Sequence, residues 1–152
     1  GDGCAGCAGR LADNPSQQSS QGGEQDNMNK MILTVPASCE WSLVVRTALG
    51  AVGVLATLSM DVIDDLRAAV DEAFELVTHQ ERMVENVTLT CEMEDGKIYI
   101  TLEAQRAANA QDCEMKDPEV AQLIIGTLVT EVKLEGDHCG IYTVRMSLPT
   151  GA

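Results

Sequence analysis

About 83 residues into this chain the spacing of its apolar residues changes, and that change constrains the fold more than any single motif. Trp41, Val44, Val45, Ala48, Val52 and Leu55 fall at three- and four-residue intervals, as do Ile63, Leu66, Val70, Ala73 and Val77. Those intervals place each set on one side of a helix. Past residue 83 the period is two: Val87, Leu89 and Cys91 alternate with polar neighbours, Asp95-Gly96 supplies a hairpin turn, and Ile98, Ile100 and Leu102 return. Two helices followed by a hairpin describe a sheet with helices laid on it.

The remaining elements are read from local signals. Met31–Val35 is a short apolar run closed by Pro36, and is expected to be a strand. Ser38 offers an N-cap to a first helix near 38–57, and Ser59 caps a second whose early Asp61, Asp64 and Asp65 suit its positive end. Residues 104–116 are polar and Ala-rich and read as a loop. Asp117-Pro118 opens a third helix through Val120, Leu123, Ile124, Thr127 and Leu128. Strands near 131–136 and 140–148 meet at the Gly136–Gly140 turn. The predicted order is β-α-α-β-β-α-β-β. It implies an α+β fold, a two-layer α/β sandwich whose mostly antiparallel sheet is covered on one face by helices.

The first 27 residues are mainly Gly, Ala, Ser, Gln and Asn, too poor in large apolar groups to offset the entropy of ordering. They are expected to be a disordered tail without function, with residues 28–152 as one domain and Met28 or Met31 as a natural start. No apolar stretch approaches the roughly 18–20 residues that cross a bilayer, and no leader pattern opens the chain, so a cytoplasmic location is expected. With 24 acidic and 10 basic residues the formal charge is −14. Such a surface repels phosphate backbones and anionic headgroups and suits a basic or mixed-charge protein partner. Asp61, Asp64 and Asp65 are the candidate contacts. The six cysteines are too sparse for a disulfide framework, and Cys39, Cys91, Cys113 and Cys139 are expected to be reduced. Cys4-Ala5-Gly6-Cys7 has metal or redox spacing without a second ligand pair, and His138-Cys139 likewise stands without one, so no metal site is expected.

Three stretches together resemble the anti-sigma-factor serine kinases. They are Val35-Pro36-Ala37 followed by Trp41-Ser42-Leu43-Val44-Val45-Arg46, then the run from Met60 to Ala73, then Thr127-Leu128-Val129-Thr130-Glu131-Val132. The resemblance covers roughly residues 31–148. It implies the histidine-kinase-like ATPase fold, shared with gyrase B, Hsp90 and MutL. Members of the family bind ATP and Mg²⁺ through three short motifs, and this chain departs from all three. Glu72 stands where the family has its general base, but Leu76 replaces the Mg²⁺-binding Asn four residues on. Ala104-Gln105-Arg106 replaces D-x-G, which removes the adenine acceptor and puts Arg106 in place of the glycine. Pro118, Glu119 and Ala121 fall where a Gly-rich turn would cradle phosphate, and neither a prolyl nitrogen nor a carboxylate serves that purpose. The resemblance therefore implies a bacterial anti-sigma-factor-like regulator that binds a sigma factor or an antagonist protein, forms homodimers, needs no cofactor and phosphorylates nothing. The alternative is an active ATP- and Mg²⁺-dependent serine kinase with an altered pocket, using Glu72 as base.

Overall fold

The computed structural model describes residues 29–111 and 113–151. The expected tail and its Cys4-x-x-Cys7 lie outside the described residues. Five strands and three helices appear in the predicted order: β1 (Lys30–Pro36), α1 (Ser42–Leu55), α2 (Met60–Thr78), β2 (Arg82–Glu94), β3 (Lys97–Ala110), α3 (Pro118–Gly126), β4 (Glu131–Asp137) and β5 (Gly140–Pro149). The sheet runs β1-β2-β3-β5-β4, and every neighbouring pair is antiparallel. The expected α+β two-layer sandwich is the observed one. None of the helices described is long and apolar enough to cross a membrane.

Register explains which face is buried. Leu33, Leu89, Leu102, Val144 and Leu134 lie opposite one another across the five strands and face the helices. One residue along, Ile32, Thr90, Thr101, Arg145 and Lys133 form the opposite row, so the other face of the sheet is hydroxyl-rich and charged. Strict alternation gives an antiparallel sheet one dry and one wet face. Thr34 and Thr88 hydroxyls pair across β1 and β2 at 2.8 Å on the wet one.

Three expectations need correction. Ser38 makes no side-chain cap bond; a 3-10 turn over Cys39–Trp41 intervenes before α1. The buried residues of α1 are Val45, Leu49, Val52 and Gly53, while Trp41 and Val44 lie outside the core, each more than a third exposed. This helix is apolar nearly all round, so spacing alone does not select its inner face. Residues 104–110 are not loop: β3 continues to Ala110, its far end paired with β2 through register shifts between Arg82 and Asn86. The second helix matches its reading, with the Ser59 hydroxyl accepting from the Val62 amide at 3.2 Å.

Candidate functional site

α2 positions the first pair of residues. Leu76 is 1% exposed and belongs to the central core, whereas Glu72, one turn earlier on the same flank, is half-buried at the surface. The two straddle the boundary of the core. Glu72 instead lines an open cleft of about 280 Å³ with Cys39, Ser42, Asp71, Phe74, Glu75, Thr78 and His79. Three of those side chains are carboxylates, Asp71 and Glu72 side by side and Glu75 one turn on, and Arg46 lies 3.2 Å from Asp71. Lys116 sits 3.1 Å from Glu75, and hydrogen bonding to that carboxylate raises the lysine's pKa. His79 closes the helix: its Nδ1 lies 2.7 Å from the Glu75 carbonyl oxygen.

The second set of positions lies on β3. Ala104 pairs with Val87 and packs into the core. Two residues on, the same inward orientation carries Arg106 into the end of the sandwich, where it is 5% exposed beside Arg82 at 1% and Gln80 at 0%. Its guanidinium donates to both Asp137 oxygens at 2.8 and 2.9 Å, to Gln80 Oε1 at 2.6 Å and to the Gly140 carbonyl at 3.3 Å. The Tyr142 ring lies under it at 4.9 Å. Gln80 Nε2 in turn donates to the Val77 and Ile141 carbonyls, Arg82 Nε donates to Ala107, and Gln111 Nε2 to the carbonyls of Thr78 and Gln80. A bidentate, stacked arginine of this kind is geometrically specific. It joins the end of α2, the start of β2, the end of β3 and the β4–β5 turn. Gly140 is required there: its φ is +134°, and a Cβ would come within 2.5 Å of the Gln80 Cβ.

Sequence reasoning missed this hub. Its inward residues are Ala and Arg, which hide a period of two, and Arg106 finds its partners 26 positions back and 31 ahead. A bulky cation in an alternating register after Ile98, Ile100, Leu102 and Ala104 was the available signal.

The third set opens α3. Asp117 is its N-cap, accepting from the Glu119 amide at 2.9 Å, and Pro118 occupies the first helical position. Ala121 packs inward and Glu119 is exposed. The amides that would face a phosphate thus meet this chain's own carboxylate, and proline removes one of them. Asp61, Asp64 and Asp65 are exposed along the first half of α2, and none forms an ion pair among the described residues.

Asp137, His138 and Cys139 bring donor atoms within 4.8 Å of one another. That set does not suit a metal ion, because Arg106 holds the carboxylate and Cys139 is disulfide-bonded. The disulfide corrects the expectation that Cys139 is reduced. Cys39, Cys91 and Cys113 are free thiols as expected.

The architecture is similar to part of a structure of the RsbU and RsbW domains of Rv1364c from Mycobacterium tuberculosis. The TM-score is 0.61 at 13% identity, over 80% of this chain and 32% of that one. The chain therefore spans about a third of the length of that neighbour. At this identity the likeness shows a shared fold alone, an antiparallel five-stranded sheet with helices on one face. No protein-family model matches the sequence, and no curated protein matches it significantly.

Proposed function

We propose that this chain is a cytoplasmic regulator of the anti-sigma-factor type, which acts by binding another protein and does not phosphorylate it. The resemblance in sequence and the fold shared with a structure containing an RsbW domain support the regulatory class. The observation that carries the rest is Arg106. Where the family pattern has a glycine that lets the backbone approach adenine, this chain has a buried guanidinium held by Asp137 and Gln80, on a strand that continues past the site. The buried Leu76 and the Asp117-capped, proline-headed α3 argue in the same direction for the metal and phosphate positions. A sigma factor, or an antagonist protein with a phosphorylatable serine, is the partner the family analogy supplies.

Isothermal titration with ATP and with ADP, with and without Mg²⁺, tests this reading. The expected result is no heat and no thermal stabilisation at millimolar nucleotide. Binding in the micromolar range would overturn it in favour of a serine kinase with Glu72 as base. Repeated co-purification with neither a sigma factor nor an antagonist counts against the regulatory half.

A further inference from the structure

The two edges of the sheet differ in how they are guarded. β4 carries Glu131, Lys133, Glu135 and Asp137 and an irregularity in its pairing between Glu135 and Gly136, devices that keep an edge strand from recruiting another. Between Lys30 and Pro36, β1 has neither. It pairs with β2 along its whole length without a shift, Met31–Val35 is uncharged, and Ile32 is 63% exposed on the outer face of the sheet. Among the described residues β1 has a neighbouring strand on one side only. On its helix-facing side Met31 and Leu33 are only partly buried. α1 lies over β1, while α2 packs on β2, β3 and β5 and α3 on β4. Contacts fix which side of α1 meets α2: Arg46 sits 3.2 Å from Asp71, Gly50 lies against Arg67, and Gly53 against Ile63. Val45, Leu49 and Val52 point into the core. At about 100° per residue, Val44, Ala48, Ala51 and Leu55 then fall on the flank turned away from α2, beyond β1. Val44 is 39% and Leu55 74% exposed, and Arg46 is the one charged residue of α1.

We propose that this edge, β1 with the outer flank of α1, is where a second copy of the chain docks, β1 against β1 and antiparallel, so that the two sheets become one. The resemblance implied a dimer but no surface for it; β1 and α1 supply one. An antiparallel pair about a two-fold axis is self-complementary. Centred on Leu33, it sets Ile32 opposite Thr34 of the second copy, Met31 opposite Val35 and Lys30 opposite Pro36, so no like charges face each other. The same axis turns the α1 flanks together, Val44 towards Leu55 and Ala48 towards Ala51. Strands about 4.8 Å apart bring the helices above them to roughly 8–10 Å, a separation that two alanines permit at the crossing. Charge and shape select the occupant. Each copy carries −14, and an uncharged strand and helix flank let two such bodies meet. A foreign extended segment would satisfy the β1 backbone but leave the α1 flank bare, whereas a second copy covers both. The inference does not depend on the regulatory reading above.

The test uses the full chain. Sedimentation velocity at micromolar concentration should show a dimer that tightens severalfold from low to high salt, because salt screens the repulsion between two acidic bodies. I32E on the strand and A51E on the helix flank should each weaken it by roughly tenfold or more. V120E adds the same charge on α3, over the opposite edge of the sheet, and should leave it unchanged. All three positions are exposed, and circular dichroism checks that each variant is folded. In a dimer assembled from ¹³C-labelled and ¹⁵N-labelled copies of the unaltered chain, contacts between Met31 of one and Val35 of the other report the strand pairing directly. A monomer at every concentration, a dimer that weakens with salt, one indifferent to I32E, or one that V120E dissolves would overturn the proposal. So would a dimer without the Met31–Val35 contacts. Nucleotide titration reads none of these quantities, so failure here and failure of the non-kinase reading are told apart.

Discussion

Thr57 ends α1 with a φ of +57°, a left-handed conformation that a β-branched side chain resists by roughly 1–2 kcal/mol. Its amide donates to the Val54 carbonyl at 3.0 Å and the Leu58 amide to Gly53 at 2.9 Å, the paired bonds of a helix end that glycine usually occupies. Thr57→Gly loses the hydroxyl bond to the Ala56 carbonyl and loosens the unfolded chain, so part of the strain relief is offset. The expected net gain is about 0.5–1 kcal/mol, read as a higher urea midpoint at unchanged m. Gly53 is the opposite case. Alanine is the better helix former by about 1 kcal/mol, but its Cβ would lie 2.7 Å from the stiff, buried Ile63 Cγ1. Overpacking costs about 1–3 kcal/mol, so Gly53→Ala should lower the urea midpoint despite its helix propensity. Arg106→Met removes the guanidinium that holds Asp137, Gln80 and the Gly140 carbonyl, and should destabilise by about 3 kcal/mol. The lower end of the range for broken buried pairs applies because the Asp137 side chain is 27% exposed. Arg106→Lys should recover little of the loss, since an ammonium does not reproduce the two-pronged contact.

Among the elements, the helices differ in how far their patterns reveal their packing. α2 carries its acidic residues outward and its apolar ones inward, so both its limits and its buried face follow from spacing. α1 and α3 place apolar residues on both sides. In α3, Ala121 and Ile125 are buried while Val120, Leu123 and Ile124 remain exposed. A pattern without contrast identifies a helix but not its orientation. The N-cap of this short helix contributes a large share of its stability. Asp117→Ala should cost about 1 kcal/mol, visible as a lower melting temperature, and should create no nucleotide affinity because Pro118 remains. β3 shows the converse difficulty: its first half alternates cleanly, and its second half is paired strand although its inward residues are Ala and Arg.

For the molecule as a whole, Cys91 reports on cooperativity. It sits on β2, between Met31 of β1 and Ile100 of β3, and burial pushes its thiol up from 9.0 to about 12. A group whose folded pKa is raised keeps its full contribution below the unfolded value and loses it as pH rises through the folded one. Stability should therefore fall from about pH 9 towards pH 12, and Cys91→Ala should flatten that slope in urea titrations at stepped pH. At pH 8 a thiol reagent should label the exposed Cys39 promptly and Cys91 only through global opening. Much of this architecture is legible without coordinates. The period change near residue 83, the Asp95-Gly96 turn and the Ser59 and Asp117 caps are local signals, produced by sterics and hydrogen bonding within a few residues. They settle element order, strand count and an α+β sandwich with one helical face. The expectation that Leu76, Arg106 and Pro118 do not suit nucleotide binding is a reading of side-chain chemistry alone, and the nucleotide titration is its test. What occupies that region was not readable. The Arg106–Asp137–Gln80 hub and the inner face of α1 each join residues distant in sequence. Such pairings carry no local periodicity, and only closure of the sheet under its helices decides them.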